Sequence, residues 1–217
     1  MGSARIDPRV TYEDGSFHMV RDGFDDVPDF ALPAGYRFRG FRDSDDAVWT
    51  ALQRAAEPFF DIADGLFEEQ YGPQRAALPE RMWFVESDAG QSVASISAWW
   101  ENEPPTPQDR GRIHWVVVHP EHQGRGLSKA MMTKAMTRLA QSHSGAVLGT
   151  SSGRPWAVKV YLDFGFLPDT AELVKPEILQ AWRDVQSVIG HPVLERILAR
   201  NQANHRGHTA SARKTCD

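Results

Sequence analysis

Apolar and charged residues alternate along Tyr36-Arg37-Phe38-Arg39-Gly40-Phe41, the two-residue period of a half-buried strand. Asp43 or Ser44 then offers a cap for a helix with Val48, Leu52, Ala55 or Ala56, and Phe59 on one face, and a weaker helical segment is expected over about 64–74. Residues 82–86 and 92–100, joined by Ser87-Asp88-Ala89-Gly90, read as a hairpin. Beyond the loop Pro104-Pro105-Thr106-Pro107 comes a β-branched strand over 113–118, with Val116, Val117 and Val118 expected to be buried on both faces and Pro120 ending its ladder. Leu127, Met131, Ala135 and Leu139 recur every four positions, which predicts an amphipathic helix ending near Gly145. A short strand over 146–150 follows, then a helix with Pro155 at its first position and Gly165 as its stop.

This order predicts an α/β fold with a mixed sheet, in which the strands at 113–118 and 146–150 run parallel through the intervening helix. Residues 1–34 read as an N-terminal extension in which Phe17-His18-Met19-Val20 is the one stretch suited to an edge strand. Residues 35–170 form the core domain, and 171–199 a helical segment carrying Ile178, Trp182, Val185 and Ile189. A basic tail over 200–217 is expected to be disordered.

Composition narrows the function classes. Among 217 residues, 41% are hydrophobic, enough for a core, and the net charge of -5 argues against nucleic acid as the main partner. The single cysteine, Cys216, can staple nothing within the chain, and no apolar run suits a leader or a bilayer span; a cytoplasmic protein that does not engage membranes is the expectation.

The chemistry gathers after the 113–118 strand. Gly124 and Gly126 free the loop backbone for a close approach, and the helix opening at Leu127 aims unpaired N–H groups and the positive end of its dipole into that loop, the arrangement of an anion cradle. His114, His119 and His122 do not make a zinc site: the last two straddle Pro120, and no cysteine stands nearby.

Val118-His119-Pro120 followed by Gln123-Gly124-Arg125-Gly126-Leu127-Ser128 resembles the acyl-CoA signature of the GNAT superfamily of N-acyltransferases, Gln/Arg-x-x-Gly-x-Gly/Ala after a Val-x-Pro strand end. Ala157-Val158-Lys159-Val160-Tyr161-Leu162-Asp163-Phe164-Gly165-Phe166 is similar to the family's later helix, Ala-x-x-x-Tyr-x-x-x-Gly-Phe. The resemblance covers roughly 35–170 and implies a central, mixed, splayed sheet flanked by helices, with no metal. It implies that acetyl-CoA, or another acyl-CoA, lies against the main chain of Val116, Val117 and Val118. The diphosphate would rest on the loop formed by Gln123, Gly124, Arg125, Gly126, Leu127, Ser128 and Lys129. Ser128 replaces the usual Gly or Ala.

By the same resemblance, Tyr161 protonates the departing thiolate and His114 removes a proton from the amine; Glu101 and Glu103 compete with His114 by their place at the end of the preceding strand and the start of the Pro-rich loop, directly or through water. Period-two alternation puts His114 on one side with Val116 and Val118. The chain departs from the family where Gly149 stands for a glutamate and Ser152-Gly153-Arg154-Pro155 stands where an asparagine is usual. The implied activity is N-acyl transfer to a small-molecule amine. A non-catalytic CoA-binding module, and a donor carried by protein or tRNA, remain as alternatives. Phe59, Phe60, Phe67, Tyr71 and one of Trp99 or Trp100 are candidates for the acceptor pocket, though each one taken singly is more readily a core residue. The helix near 176–190 stands where the family closes with a hairpin, and is suited to cover the acceptor or make a homodimer contact.

Overall fold

The computed structural model describes residues 15–103, 105, 106 and 108–213, the side chains of 204–213 excepted. In chain order the elements are β1 (Ser16–Asp22), β2 (Tyr36–Gly40), α1 (Asp45–Ala56), α2 (Leu66–Tyr71), α3 (Leu78–Arg81), β3 (Met82–Ser87), β4 (Ser92–Trp100), β5 (Gly111–Val118), α4 (Leu127–Ala140), β6 (Gly145–Ser151), α5 (Pro155–Asp163), β7 (Leu167–Pro168), α6 (Pro176–Ile189) and α7 (Pro192–Arg213). Short 3₁₀ turns occupy Gly72–Ala77 and Pro120–His122. Among the described residues no helix is long and apolar enough to cross a membrane.

The chain divides into two compact units, one holding residues 21–148 and the other 15–20 with 149–213. This division falls elsewhere than the sequence boundaries at 34/35 and 170/171, because β1, inside the expected extension, pairs antiparallel with β7, Met19 opposite Pro168 and Val20 opposite Leu167.

In the first unit, β2, β3, β4 and β5 form an antiparallel run, and β6 joins β5 in parallel at Gly111↔Ala146 and Arg112↔Val147, where the ladder stops. The sheet is therefore mixed, as the order of elements predicts. Trp49, Leu52, Phe67, Tyr71, Met82, Phe84, Trp99 and Val117 make one buried cluster from α1, α2 and the strands. Its rings meet edge-on, Trp49 to Tyr71 at 5.8 Å and Tyr71 to Trp99 at 5.0 Å, the arrangement their quadrupoles favour. Phe67, Tyr71 and Trp99 are thus buried in this core. Trp100 lies half-buried with the Arg81 guanidinium 3.8 Å above its ring. Beside this core Arg39 is clamped by Asp45, by Glu86 at 2.7 Å and by the Ser92 hydroxyl at 2.8 Å, while stacking on Phe84 at 4.4 Å.

The second unit packs β1 and α5 to α7 around Phe17, Val158, Leu162, Phe166, Trp182, Val185 and Leu194, with the Phe17 and Trp182 rings 4.0 Å apart. The end of α5 explains the Tyr-x-x-x-Gly-Phe spacing. Gly165, at φ +77°, donates to the Leu162 carbonyl, and Phe166 N–H reaches back to the Tyr161 carbonyl at 3.0 Å, a Schellman stop that only an αL residue permits readily. Helical backbone in α7 continues to Arg213, through most of the stretch the sequence assigned to a tail from Arg200; residues 214–217 lie outside the described residues, as do 1–14 of the expected extension.

Candidate active site

The middle of β5 is not a regular strand. Ser97 pairs with His114 and Ser95 with Val117, so Trp115 and Val116 together oppose the single residue Ile96. That is a β-bulge, and Trp115 sits in it at φ +48°. A non-glycine residue there costs about 1–2 kcal/mol. Side-chain anchorage offsets that cost: the Trp115 indole N–H donates to Gln70 Oε1 at 3.0 Å, and its ring meets Trp49 at 5.2 Å and Phe60 at 6.3 Å.

The bulge corrects two expectations. First, it breaks the alternation, so His114 shares its side with Val117 instead of Val116 and Val118. Second, the three valines are not buried on both faces; Val117 is in the core, whereas Val116 and Val118 stay half-exposed on a stretch of β5 that its ladder with β6 does not reach.

Beyond Val118 the loop is set for an anion. Gln123 Nε2 donates to the Val118 carbonyl at 3.0 Å, which fixes the junction of strand and loop. Gly124 and Gly126 have φ of +74° and +84°, and a Cβ on either would meet nothing within 4 Å, so glycine is required there by conformation and not by crowding. Gly126 is the N-cap of α4. Lys129 N–H bonds the Gly126 carbonyl at 3.2 Å, but among the described residues the N–H groups of Gly124, Arg125, Gly126, Leu127 and Ser128 find no acceptor. Unengaged amides at a helix N-terminus fit a diphosphate. Arg125 donates to the Tyr36 hydroxyl and to the Glu121 carbonyl, both at 3.0 Å, and Lys129 Nζ lies 5.0 Å from the Phe30 ring centroid.

The proposed acid–base residues fall in different places. His114 is buried, with its ring 5.6 Å from that of Tyr71. Desolvation, and then the nearby charge of Arg112, hold its pKa well below that of a free histidine, so it is neutral. The Tyr71 hydroxyl lies 2.7 Å from Ser97 Oγ, which donates to the His114 carbonyl at 2.8 Å; burial pushes this phenol's pKa up. Glu101 is exposed at the start of the loop joining β4 to β5, where it accepts from the Arg110 N–H at 3.3 Å. From there the bulge is about 13 Å further along the strand, at the usual rise of about 3.3 Å per residue. Glu103 is held by the Trp99 indole at 2.9 Å. His119 and His122 are engaged too, the first accepting from Glu121 N–H and the second facing Tyr36. Tyr161 belongs to the second unit, where its ring lies 6.4 Å from that of Phe166, and burial, opposed in part by Arg154, pushes its phenol up to about 12. At the positions that depart from the family pattern, Gly149 lies against the His18 ring, and Ser152 is buried with its N–H on the Gly15 carbonyl.

Sequence reasoning did not single out Arg112, Trp115 or Tyr36. Trp115 stands in the expected 113–118 strand and Arg112 just before it, but neither carries a motif. Tyr36 contacts the loop from 86 residues away in sequence, which no spacing rule reveals.

The profile of the acetyltransferase (GNAT) family matches residues 46–166. An N-acetyltransferase 8F1 of Mus musculus is 35% identical over 86 residues, 39% of this chain and 38% of that protein. A mycothiol acetyltransferase of Streptomyces griseus is 27% identical over 154 residues, 69% of this chain and 48% of that protein. The chain thus spans less than half the length of these curated relatives. Among solved structures, a GCN5-related N-acetyltransferase from Sphaerobacter thermophilus aligns over 71% of this chain and 48% of its own, with a TM-score of 0.57 at 18% identity. A tandem GNAT protein from the clavulanic acid biosynthesis pathway aligns over 70% and 50%, with a TM-score of 0.53 at 17% identity. These two share the fold, and with the family profile spanning the cradle and the Tyr161 helix, the chain belongs to the GNAT acetyltransferase family.

Proposed function

We propose that the chain transfers an acyl group, in the first instance acetyl, from an acyl-CoA to a primary amine of a small molecule, by direct attack in a ternary complex. The observation that carries this reading is the set of unengaged amides over 124–128 at the N-terminus of α4, held open by two αL glycines. The relative named as a mycothiol acetyltransferase supports a small-molecule acceptor.

An acyl-CoA supplies an activated thioester. The loop amides, with Arg125 and Lys129, take its diphosphate, and the main chain of Val116 to Val118 pairs with the pantetheine arm beyond the end of the β5–β6 ladder. At the bulge we assign the backbone N–H groups of Trp115 and Val116 to polarising the acyl carbonyl as its charge develops.

Proton handling is divided. His114, kept neutral by burial, takes the proton of the attacking amine and, being too weak a base to store it, passes it through water to solvent. Glu101, at the far end of β5, acts only through water. We assign Tyr161 the donation of a proton to the departing sulfur: burial pushes its phenol up to about 12, so it stays protonated until the thiolate forms, and solvent restores the phenol afterwards. The test is thiol release from acetyl-CoA with a panel of small primary amines. Amine-dependent release supports the reading; tight CoA binding without release by any amine leaves a binding module in its place.

A further inference from the structure

The Tyr36 hydroxyl, at the start of β2, lies 3.0 Å from Arg125 NH1 and 2.9 Å from His122 Nδ1. These are long-range contacts, 89 and 86 residues apart in sequence, between a strand on the far side of the antiparallel run and the anion loop. Arginine has no acceptor, so the guanidinium must donate to the phenolic oxygen. The phenol's own proton then goes to His122 Nδ1, which puts that ring's proton on Nε2. The second arm of the guanidinium is fixed on the Glu121 carbonyl at 3.0 Å, and the His122 ring stands edge-on to Tyr36 with centroids 5.8 Å apart. Arg125 is otherwise an exposed side chain on a glycine-flanked loop, where a free arginine loses much of its rotamer entropy on binding.

We propose that Tyr36, with His122 behind it, is a positioning residue for acyl-donor binding: it pre-sets Arg125 so that the unspent donors of its fork meet a phosphate of the CoA nucleotide without a further ordering cost. The inference rests on the CoA-binding reading of the loop. It assigns Tyr36 a role through Arg125 and none in the chemistry. The groups facing His122 are Tyr36, Arg125, His119 and Glu121. Burial, then the charges of Arg125 and His119, hold its pKa below the usual histidine value, so at neutral pH Nδ1 is free to accept from the phenol.

The experiment is a double-mutant cycle on the full chain, with CoA affinity read by calorimetry for wild type, Tyr36→Phe, Arg125→Ala and the double variant, and thermal unfolding confirming that each is folded. Tyr36→Phe keeps the ring and removes only the hydroxyl. Its expected loss of CoA affinity is about five- to tenfold, the size of one ordinary net hydrogen bond, since Tyr36 acts on the nucleotide only through Arg125. Arg125→Ala loses at least as much, and the double variant loses no more than Arg125→Ala alone, since Tyr36 acts only through that guanidinium. In turnover, the Tyr36→Phe loss sits in KM for the acyl donor and not in kcat. Losses from the two substitutions that simply multiply, or Tyr36→Phe lowering kcat with KM unmoved, overturn the brace alone. Wild type that binds no CoA overturns the cradle reading and the brace with it.

Discussion

Two glycines with open space around them should answer the same substitution with opposite signs. Gly126 and Gly65 stand at the N-caps of α4 and α2, and a Cβ on either meets nothing within 4 Å. They differ in backbone: Gly126 is left-handed at φ +84°, Gly65 right-handed at φ -81°. Gly126→Ala therefore carries the left-handed penalty of about 1–2 kcal/mol with no steric term added. Gly65→Ala gains about 0.4–1 kcal/mol, because alanine has fewer unfolded conformations to lose. The two variants should lie about 2 kcal/mol apart, and at roughly 2–4 °C per kcal/mol for a chain of this size their melting points should differ by roughly 4–8 °C. Differential scanning calorimetry without ligand measures this. Repeating the melt with CoA at about 100 times Kd should stabilise wild type by about 2.7 kcal/mol and Gly65→Ala equally. Gly126→Ala should gain distinctly less at the same CoA concentration, since relief of its strain turns the loop amides. Equal melting points without CoA would refute the conformational argument, and equal stabilisation by CoA would refute the cradle.

Tyr161→Phe should lower turnover by about ten- to a thousandfold while leaving CoA affinity intact, checked by steady-state kinetics beside calorimetry. His114 is neutral in the fold and titrates near 6.5 once unfolded, so the unfolded chain binds the extra proton; stability from this group is present above about pH 6.5 and lost as pH falls, with a slope approaching about 1.4 kcal/mol per pH unit. Denaturant unfolding of wild type and His114→Gln over pH about 5.5–6.5 should show a slope steeper in wild type by that amount, since His122 contributes equally to both. Arg39→Ala strands the buried Asp45 and Glu86 carboxylates and should cost about 3–5 kcal/mol in denaturant titrations, whereas Arg37→Ala, whose side chain is 60% exposed, should cost under about 1 kcal/mol.

What the sequence discloses follows from how local each signal is. The strand, glycine loop and helix over 111–140 are legible because Pro120, Gly124 and Gly126 punctuate them and Leu127 to Leu139 keep helical period. The end of α5 is legible for the same reason, since Gly165 is where the chain must turn left-handed. The bulge is not. Trp115 takes a positive φ without being glycine, a conformation imposed by Gln70, Trp49 and Phe60 from other elements, and with it the side assigned to His114 changes. An apolar run such as Val116-Val117-Val118 signals a strand but not that its neighbour parts from it. β7 is two residues long, with no periodicity to read, so the pairing that draws β1 out of the expected extension stayed hidden. The acceptor pocket is not legible, because aromatic residues at helical spacing look alike whether they line a cavity or build a core, and Phe67, Tyr71 and Trp99 are buried in the core.

The central claim concerns main-chain amides, and a crystal structure with CoA at saturating concentration tests it most directly. The account predicts diphosphate oxygens within about 2.7–3.2 Å of backbone nitrogens between Gly124 and Ser128, with α4 unchanged. A diphosphate ordered elsewhere on the protein, with those amides still turned to solvent, would contradict it.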